Sequence, residues 1–379
     1  MKKTYVVSAL LALLFATVAA VKADSNSDLQ KTFNVSNGGK LVVSVGSGDI
    51  RIRVWDKTQV QMTVSNIGDD ADRVESDQEG NTVTVRYRSH SGWWSSNRDL
   101  RFEFFVPQSF NVDLTTSGGD VEISGTLAGN AEMSTSGGDL KIDEVDGTLQ
   151  GRTSGGDVVV RNVQKDATLT TSGGDIQVDR AGSKLEITTS GGEITVGTVG
   201  KDLDASTAGG DISIQKVGGE LRASTASGDI SVGKVGGSIS VNTSGGDITL
   251  SSGNGRISAN TSGGDVTISD VVGSVDVNSS GGTIKVGFTP KGDESSRIES
   301  SGGDVYLYIP SDAKVTVHAQ VYGGDEESIV SDFPVTLHKR SSGFGNQNAE
   351  VTLNGGGPEI YLQTSSGSIY IQKLSSFSR

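Results

Sequence analysis

One feature constrains this chain more than any other: a corner of the form Ser-Gly-Gly-Asp returns at a fixed interval. The Gly-Gly pairs begin at Gly118, Gly137, Gly155, Gly173, Gly191 and Gly209, then at Ser227 in place of Gly, then at Gly245, Gly263 and Gly281. The first interval is 19 residues, the next eight are 18, and a further copy follows at Gly302 after 21. A fixed period of this length is the signature of a stacked-repeat architecture. Within one unit, GGDISIQKVGGELRASTA from Gly209, the apolar residues Ile212, Ile214 and Val217 alternate or nearly so. A second Gly-Gly break follows, and Leu221, Ala223 and Thr225 alternate again. Each unit is thus two turns and two short strands of period two. Gly at the corners supplies unusual backbone angles and room for tight stacking.

A unit with one apolar stripe per strand cannot fold alone. About six small inward side chains contribute on the order of 10 kcal/mol, whereas ordering eighteen residues costs ~1–2 kcal/mol each for the backbone. Stacking resolves the deficit: each strand pairs in parallel with its counterpart in the next unit, ~4.8 Å away, so that Ile212 lies on Ile230 and Ile230 on Ile248. The expected fold is all-β, a parallel β-solenoid of 18-residue coils, β-helix-like and right-handed from the general hand of parallel crossovers. Thr189, Thr207, Thr225, Thr243 and Thr261 fall at the inward end of the second strand, where a hydrogen-bonded ladder near the corner is expected. Asp69 to Glu79, the one helix-tolerant stretch, reads as a loop or single turn.

Four segments follow. Residues 1–23, MKKTYVVSALLALLFATVAAVKA, have a Lys2-Lys3 start, a short apolar run and a small-residue cleavage site, and read as a signal peptide. The run is short for a membrane anchor, and no later stretch could span a bilayer as a helix. Residues 111–287 are the solenoid and contain no Phe, Tyr or Trp. Beyond the leader, the aromatics lie in 24–110 and 288–379, which read as β-rich N- and C-terminal caps over the open solenoid ends. RFEFFVPQSFNVDLTTSGGD, ending at Asp120, and DVYLYIPSDAKVTVHAQVYGGD, ending at Asp325, share one pattern: a strand, a Pro turn, a strand and a Gly-Gly corner.

Composition narrows function by exclusion. With no Cys, disulfides, thiol nucleophiles and Cys-based metal sites are ruled out. The net charge is −14, and loss of the leader leaves 29 basic against 46 acidic residues, a charge of −17. Such a chain is repelled by nucleic acid and by bare anionic lipid. It approaches an anionic cell surface only through local patches or bridging cations. The solenoid has no His, no aromatic platform and no long insertion, and neither Gly-x-Ser-x-Gly nor His-Glu-x-x-His occurs. We therefore expect no enzyme and no cofactor.

Two sets of residues stand out. The first is an outward acidic column that includes Asp157, Asp175, Asp211, Asp229, Asp247 and Asp265. Each Asp caps its own turn by accepting a backbone N–H; the alternative is calcium held between coils, although the Gly-Gly-x-Gly-x-Asp of calcium β-rolls is lacking. The second is R86YRSHSGWWSSNR98, which gathers Arg86, Arg88, Arg98, Trp93 and Trp94 in an otherwise acidic chain. Trp and Arg dominate binding hot spots. The segment is either a surface-contact loop or a lid folded over the solenoid end. A polar column through Thr188, Ser206, Ser224, Asn242, Asn260 and Asn278 reads as a solvated face.

The stretch F33NVSNGGKLVVSVGSGDIRIRVWD56, the strand into Pro107, the Ser-Gly-Gly-Asp ladder and the ending N354GGGPEIYLQTSSGSIYIQK373 together resemble the bacterial putative-adhesin β-strand-repeat family, domain of unknown function 4097. The resemblance spans roughly residues 30 to 375. It implies an exported or envelope-associated β-solenoid and brings no catalytic residues with it. Function is accordingly expected to be that of an exported, non-enzymatic, adhesin-like binding or structural module, placed in the periplasm, outside the cell or on its surface. Its partner would be an envelope protein or a surface glycan. The alternatives are a periplasmic envelope-stress or signalling partner protein and a carbohydrate-active enzyme.

Overall fold

The computed structural model describes residues 28–88, 100–323, 328–337 and 346–377. Between Val121 and Asn242 each coil has the same plan: a Gly-Gly corner, a strand of six or seven residues, a second corner and a strand of four. In one coil these strands are Ile212–Val217 and Leu221–Ser224. Both pair in parallel with residues 18 positions away, Ile212 with Ile230, Val217 with Val235, Leu221 with Ile239 and Ala223 with Val241. The inward ladder is aliphatic and closed to solvent: Ile212, Ile214, Val217, Leu221 and Ala223 are all buried. Each such Ile or Leu contributes roughly 1.5–3 kcal/mol by leaving water.

The longer strand departs from strict alternation, and this shapes the outer surface. After the inward Ile214, both Gln215 and Lys216 face solvent before Val217 turns in again. The same bend recurs at Gln177–Ala181 and at Ser231–Val235, so these coils present two adjacent outward positions close to the second corner, one of them a glycine at Gly233. The near-alternation in the sequence is therefore a bend that aims two residues at solvent.

The corner glycines serve close approach, not unusual backbone angles. None of the repeated pairs has a positive φ. A Cβ on the second Gly of a pair would overlap a backbone carbonyl oxygen of the preceding coil: Gly156 against Gly138, Gly174 against Gly156 and Gly228 against Gly210. At the first Gly there is more room: 3.7 Å at Gly155 and 3.6 Å at Gly173, narrowing to 3.3 Å at Gly209 and 3.2 Å at Gly281, where a small shift of the neighbour suffices. This explains why Ser227 is accommodated at a first position while the second remains Gly throughout.

A threonine pillar runs beside these corners. Thr153 Oγ1 donates to the Gly138 carbonyl at 2.9 Å and accepts the Gly156 N–H at 3.3 Å. Thr171, Thr189, Thr207, Thr225, Thr243 and Thr261 repeat both bonds, and Ser279 and Ser300 do so in the last coils. The expected ladder exists, but its rungs join Thr to Gly backbone, not Thr to Thr.

Both ends are closed by threading. Strands Gly39–Val45 and Asp49–Trp55 lie between Phe110–Thr116 and Val121–Leu127 on one side and Thr82–Tyr87 and Arg101–Pro107 on the other, all in parallel. Antiparallel strands Gln59–Ser65, Leu29–Asn34 and Val74–Glu79 finish that end. At the other end Glu359–Thr364 and Ile369–Lys373 slot between Ser296–Ser300 and Val305–Ile309 inside and Val315–Val321 and Ile329–Ser331 outside. Gln347–Leu353 then runs antiparallel to Val315–Val321. The two Pro turns, at Pro107 and Pro310, are the places where the chain steps across two coils, ~9.6 Å, instead of one. Phe102, Phe104, Phe110 and Phe288 fill the interior near the ends and are fully buried. The stretch read as a loop or single turn is a 3-10 helix, Gly68–Arg73, followed by the strand Val74–Glu79.

Candidate binding surface

The acidic column lies along the Gly-Gly edge as expected, but its hydrogen bonds run between coils. Asp157 Oδ1 accepts the Asp175 N–H at 2.9 Å, and Asp175 Oδ1 accepts that of Glu193 at 2.8 Å. Asp211, Asp229, Asp247 and Asp265 likewise accept the N–H of Asp229, Asp247, Asp265 and Thr283, at 2.8, 2.7, 2.7 and 2.7 Å. Each carboxylate caps the corner of the next coil, not its own. The repulsion between neighbouring charges, about 0.9 kcal/mol at 4.8 Å in water, is thus opposed by a charge-assisted bond. At Asp139 the N–H of Asp157, with Lys141 3.1 Å away, holds the carboxyl below its ordinary value. Among the described residues no three acidic or His side chains converge as a metal site would require.

The opposite edge carries a second, partial ladder that the sequence reading missed. Asn111 and Asn130 Oδ1 accept the N–H of Asn130 and Thr148, each at 2.9 Å. Asp166 and Asp202 Oδ1 accept those of Lys184 and Glu220, at 3.2 and 2.9 Å. The signal was available as an Asn or Asp 18 or 19 residues before each capped amide. The polar column on the shorter strands is also tied internally: Ser224 donates to Ser206 at 3.2 Å, Asn260 to Asn242 at 2.9 Å and Asn278 to Asn260 at 2.9 Å.

Of the Arg/Trp segment, Arg86 and Arg88 are described and exposed. Trp93, Trp94 and Arg98 lie outside the described residues. The flanking strands locate the segment's roots. Tyr87 pairs with Val45 and Arg101 with Asp49. The segment therefore leaves and re-enters where the neighbouring coil makes its short corner through Gly46 and Gly48.

The bend of the longer strands builds a groove of about 440 Å³ on the outer surface. Glu144 stands at its centre. Thr126 Oγ1 donates to Glu144 Oε2 at 2.7 Å and Asn162 Nδ2 to Oε1 at 2.6 Å. These bonds, with the nearby Arg161 guanidinium, hold the Glu144 carboxyl below its ordinary value. Asn162 Oδ1 is closed to solvent and has no partner. Arg161 pairs with Asp143 at 3.3 Å, and Arg180 completes the rim. Thr126, Glu144, Asn162 and Arg180 are consecutive register partners, and the same column continues through Thr198, Lys216 and Lys234 to Ser252. It passes from acidic to basic along the rod. Neither the groove nor the column was singled out from sequence, because the residues involved are 18 apart and differ from coil to coil.

The terminal aromatics stack edge-out. Tyr306 and Tyr370 lie 4.5 Å apart and nearly parallel, with Lys285 over Tyr306, and His318 stacks on Tyr361 at 5.1 Å. Their ring faces contact one another, so they stabilise the end coils and are poor platforms for a flat ligand. No helix among the described residues is long and apolar enough to cross a membrane.

No curated protein matches the sequence. Among solved structures, the chain is similar to a putative adhesin from Bacteroides fragilis, at 14% identity over 92% of this chain and 98% of that one, with a TM-score of 0.26. It is similar to a putative cell adhesion protein from Clostridium sporogenes, at 9% identity over 91% and 98%, with a TM-score of 0.16. A putative lipid binding protein from Parabacteroides distasonis aligns at 13% identity over 92% and 97%, with a TM-score of 0.22. In sequence, residues 108–201 and 194–372 match Toastrack DUF4097, together more than half of the chain. The repeat, the stacked parallel coils and this match place the protein in the Toastrack DUF4097 family.

Proposed function

We propose that the protein is an exported, non-enzymatic, adhesin-like rod that acts by presenting fixed polar columns to a component of the cell envelope or surface. The signal-peptide pattern of residues 1–23 supports export. The observation that carries the binding role is the outer surface itself. Its side chains are locked at the coil repeat by bonds such as Asn260 to Asn242 and Asp229 to the Asp247 amide. A pre-ordered ladder binds with little entropy left to lose. Many weak contacts in register then act together on an extended partner. The coil is taken as right-handed, the hand of parallel crossovers. The Arg/Trp segment, rooted at one end of the rod, is assigned the strongest single contact.

The test is co-sedimentation of the purified mature protein with envelope fractions and with polysaccharides, with and without calcium. The Trp93→Ala/Trp94→Ala variant is run beside it. Binding that this variant weakens, with an unchanged melting temperature, is the expected result. Absence of binding to every fraction would refute the proposal and direct the search to a periplasmic protein partner. A large drop in melting temperature would make the segment a lid.

A further inference from the structure

We infer that the edge of the rod carrying Arg180, Lys216 and Lys234 is a track for an anionic polysaccharide. The inference rests on the surface-binding reading and names its ligand class. Acidic residues outnumber basic ones 46 to 32, yet one edge of the coil is purely acidic and one column away from it is free of acids. The Gly-Gly edge of the coils from 154 to 230 carries Asp157, Asp175, Glu193, Asp211 and Asp229 and no cation. The cations of these coils lie away from that edge, interspersed with Asp166, Asp179, Glu186, Asp202, Asp204 and Glu220, but the single column through Arg180, Thr198, Lys216 and Lys234 holds no acid. Lys216 and Asp211 are five residues apart along one strand, ~17 Å. That exceeds the Debye length of about 10 Å at 0.1 M salt, so an anion at the basic edge is largely screened from the acidic one.

Lys216 and Lys234 are direct register partners on adjacent coils, both exposed. Neither they nor Arg180 form an ion pair among the described residues. Like charges facing each other across a sheet are destabilising. The fold has no need of them, since the same column holds Thr198 one coil before and Ser252 one coil after. Two uncompensated lysines at the coil spacing are explained by an anion that comes from outside.

The floor beside them points to a sugar polymer. In the adjoining column, the exposed Gln215 stands between Gly197 and Gly233, which carry no side chain to cover it. The Gln215 carboxamide both donates to and accepts from hydroxyl groups. The track leads past Arg180 to the groove lined by Thr126, Glu144 and Asn162, where hydroxyl, carboxylate and carboxamide groups offer further partners for sugar hydroxyls. Residues 111–287 also offer no aromatic ring on which bases could stack. A polyuronate carries both the carboxylates and the hydroxyls that this edge fits.

The experiment is affinity electrophoresis of the purified mature protein in gels containing polygalacturonate, neutral dextran or single-stranded DNA. A chelator is present throughout, so that calcium cannot bridge the acidic edge to the polymer. The expected result is retardation by polygalacturonate alone. Lys216→Thr/Lys234→Ser, which copies the neighbouring coils, should weaken it at least ten-fold without lowering the melting temperature. Lys216→Arg/Lys234→Arg should retain it. Equal retardation of wild type and the Thr/Ser variant, or none at all, overturns the inference, and so does equal retardation by DNA. If polygalacturonate fails while envelope fractions still bind, only the inference falls; if both fail, the surface-binding reading falls with it.

Discussion

Exchanging either glycine of one corner for alanine separates close approach from backbone angle as the reason for the repeat. Gly173 and Gly174 are neighbours, and neither has a positive φ, so Ala is conformationally acceptable at both. At Gly173 the nearest atom to a new Cβ is the Gly155 oxygen at 3.6 Å, an ordinary contact. At Gly174 the Cβ would overlap the Gly156 carbonyl. That carbonyl cannot retreat freely, because Thr171 Oγ1 donates to it at 2.9 Å, and the Asp175 N–H is held on Asp157 at 2.9 Å. Opening the corner therefore costs ~1–3 kcal/mol of overpacking and weakens two bonds worth about 0.5–3 kcal/mol each. We expect Gly174→Ala to destabilise by about 3–5 kcal/mol. Gly173→Ala should stay within ~1 kcal/mol of wild type, because a stiffer unfolded chain offsets any small crowding. Urea unfolding followed by circular dichroism reads both midpoints, and amide exchange around 153–176 shows whether a loss is local to the coil. Equal midpoints for the two variants would refute the close-approach argument.

Three further outcomes are expected. Thr207→Val strands the Gly192 carbonyl and the Gly210 N–H, both of which the hydroxyl now serves, and should cost about 2–3 kcal/mol in urea unfolding. Thr207→Ser, which copies Ser279 and Ser300, should cost less than ~1 kcal/mol; similar losses for Val and Ser would remove the hydroxyl from the account. The Asp139 carboxyl is held in the folded state below its ordinary value, first by the Asp157 N–H. Its stabilising effect is therefore full above that ordinary value and fades as pH falls through the folded one. The stability gap between wild type and Asp139→Asn should narrow as pH is lowered below about 4, and a gap that widens on acidification would contradict the assignment. Amide exchange should be fastest in the edge strands Leu29–Asn34 and Val74–Glu79, each paired on one side, and slow in Gly39–Val45, paired on both; protection that rises steadily with distance from the N-terminus would argue against the threaded end.

Much of the rod is legible in the residues because its interactions are periodic. The interval between Gly-Gly corners equals the register between strands, Ile212 on Ile230 and Leu221 on Ile239. Apolar alternation over four to six residues decides which side chains point inward, and Thr at the last inward position marks the pillar. A short repeat that cannot bury enough surface alone has no stable option except to stack on its copies. These conclusions need only local pattern and its recurrence.

What the residues could not reveal depends on contacts between coils or on distant pairings. The direction of each Asp bond is set by the ~4.8 Å step between coils, which brings the Asp175 amide to Asp157. The glycine requirement arises in the same way, from a carbonyl 18 residues earlier in the chain. The groove around Glu144 and the basic column through Lys216 and Lys234 join residues whose chemistry changes from coil to coil, so no motif announces them. Threading at the ends is the clearest case. The shared strand, Pro turn and strand around Pro107 and Pro310 is visible in the sequence. That each turn leaves a slot, filled by Gly39–Trp55 at one end and Glu359–Lys373 at the other, is decided by pairing across the whole stack. The sequence alone therefore determined the coil, because a periodic pattern has one economical way to bury itself; tertiary structure alone decided how the coils close and which outward charges meet, because both depend on neighbours that are close in space and remote along the chain.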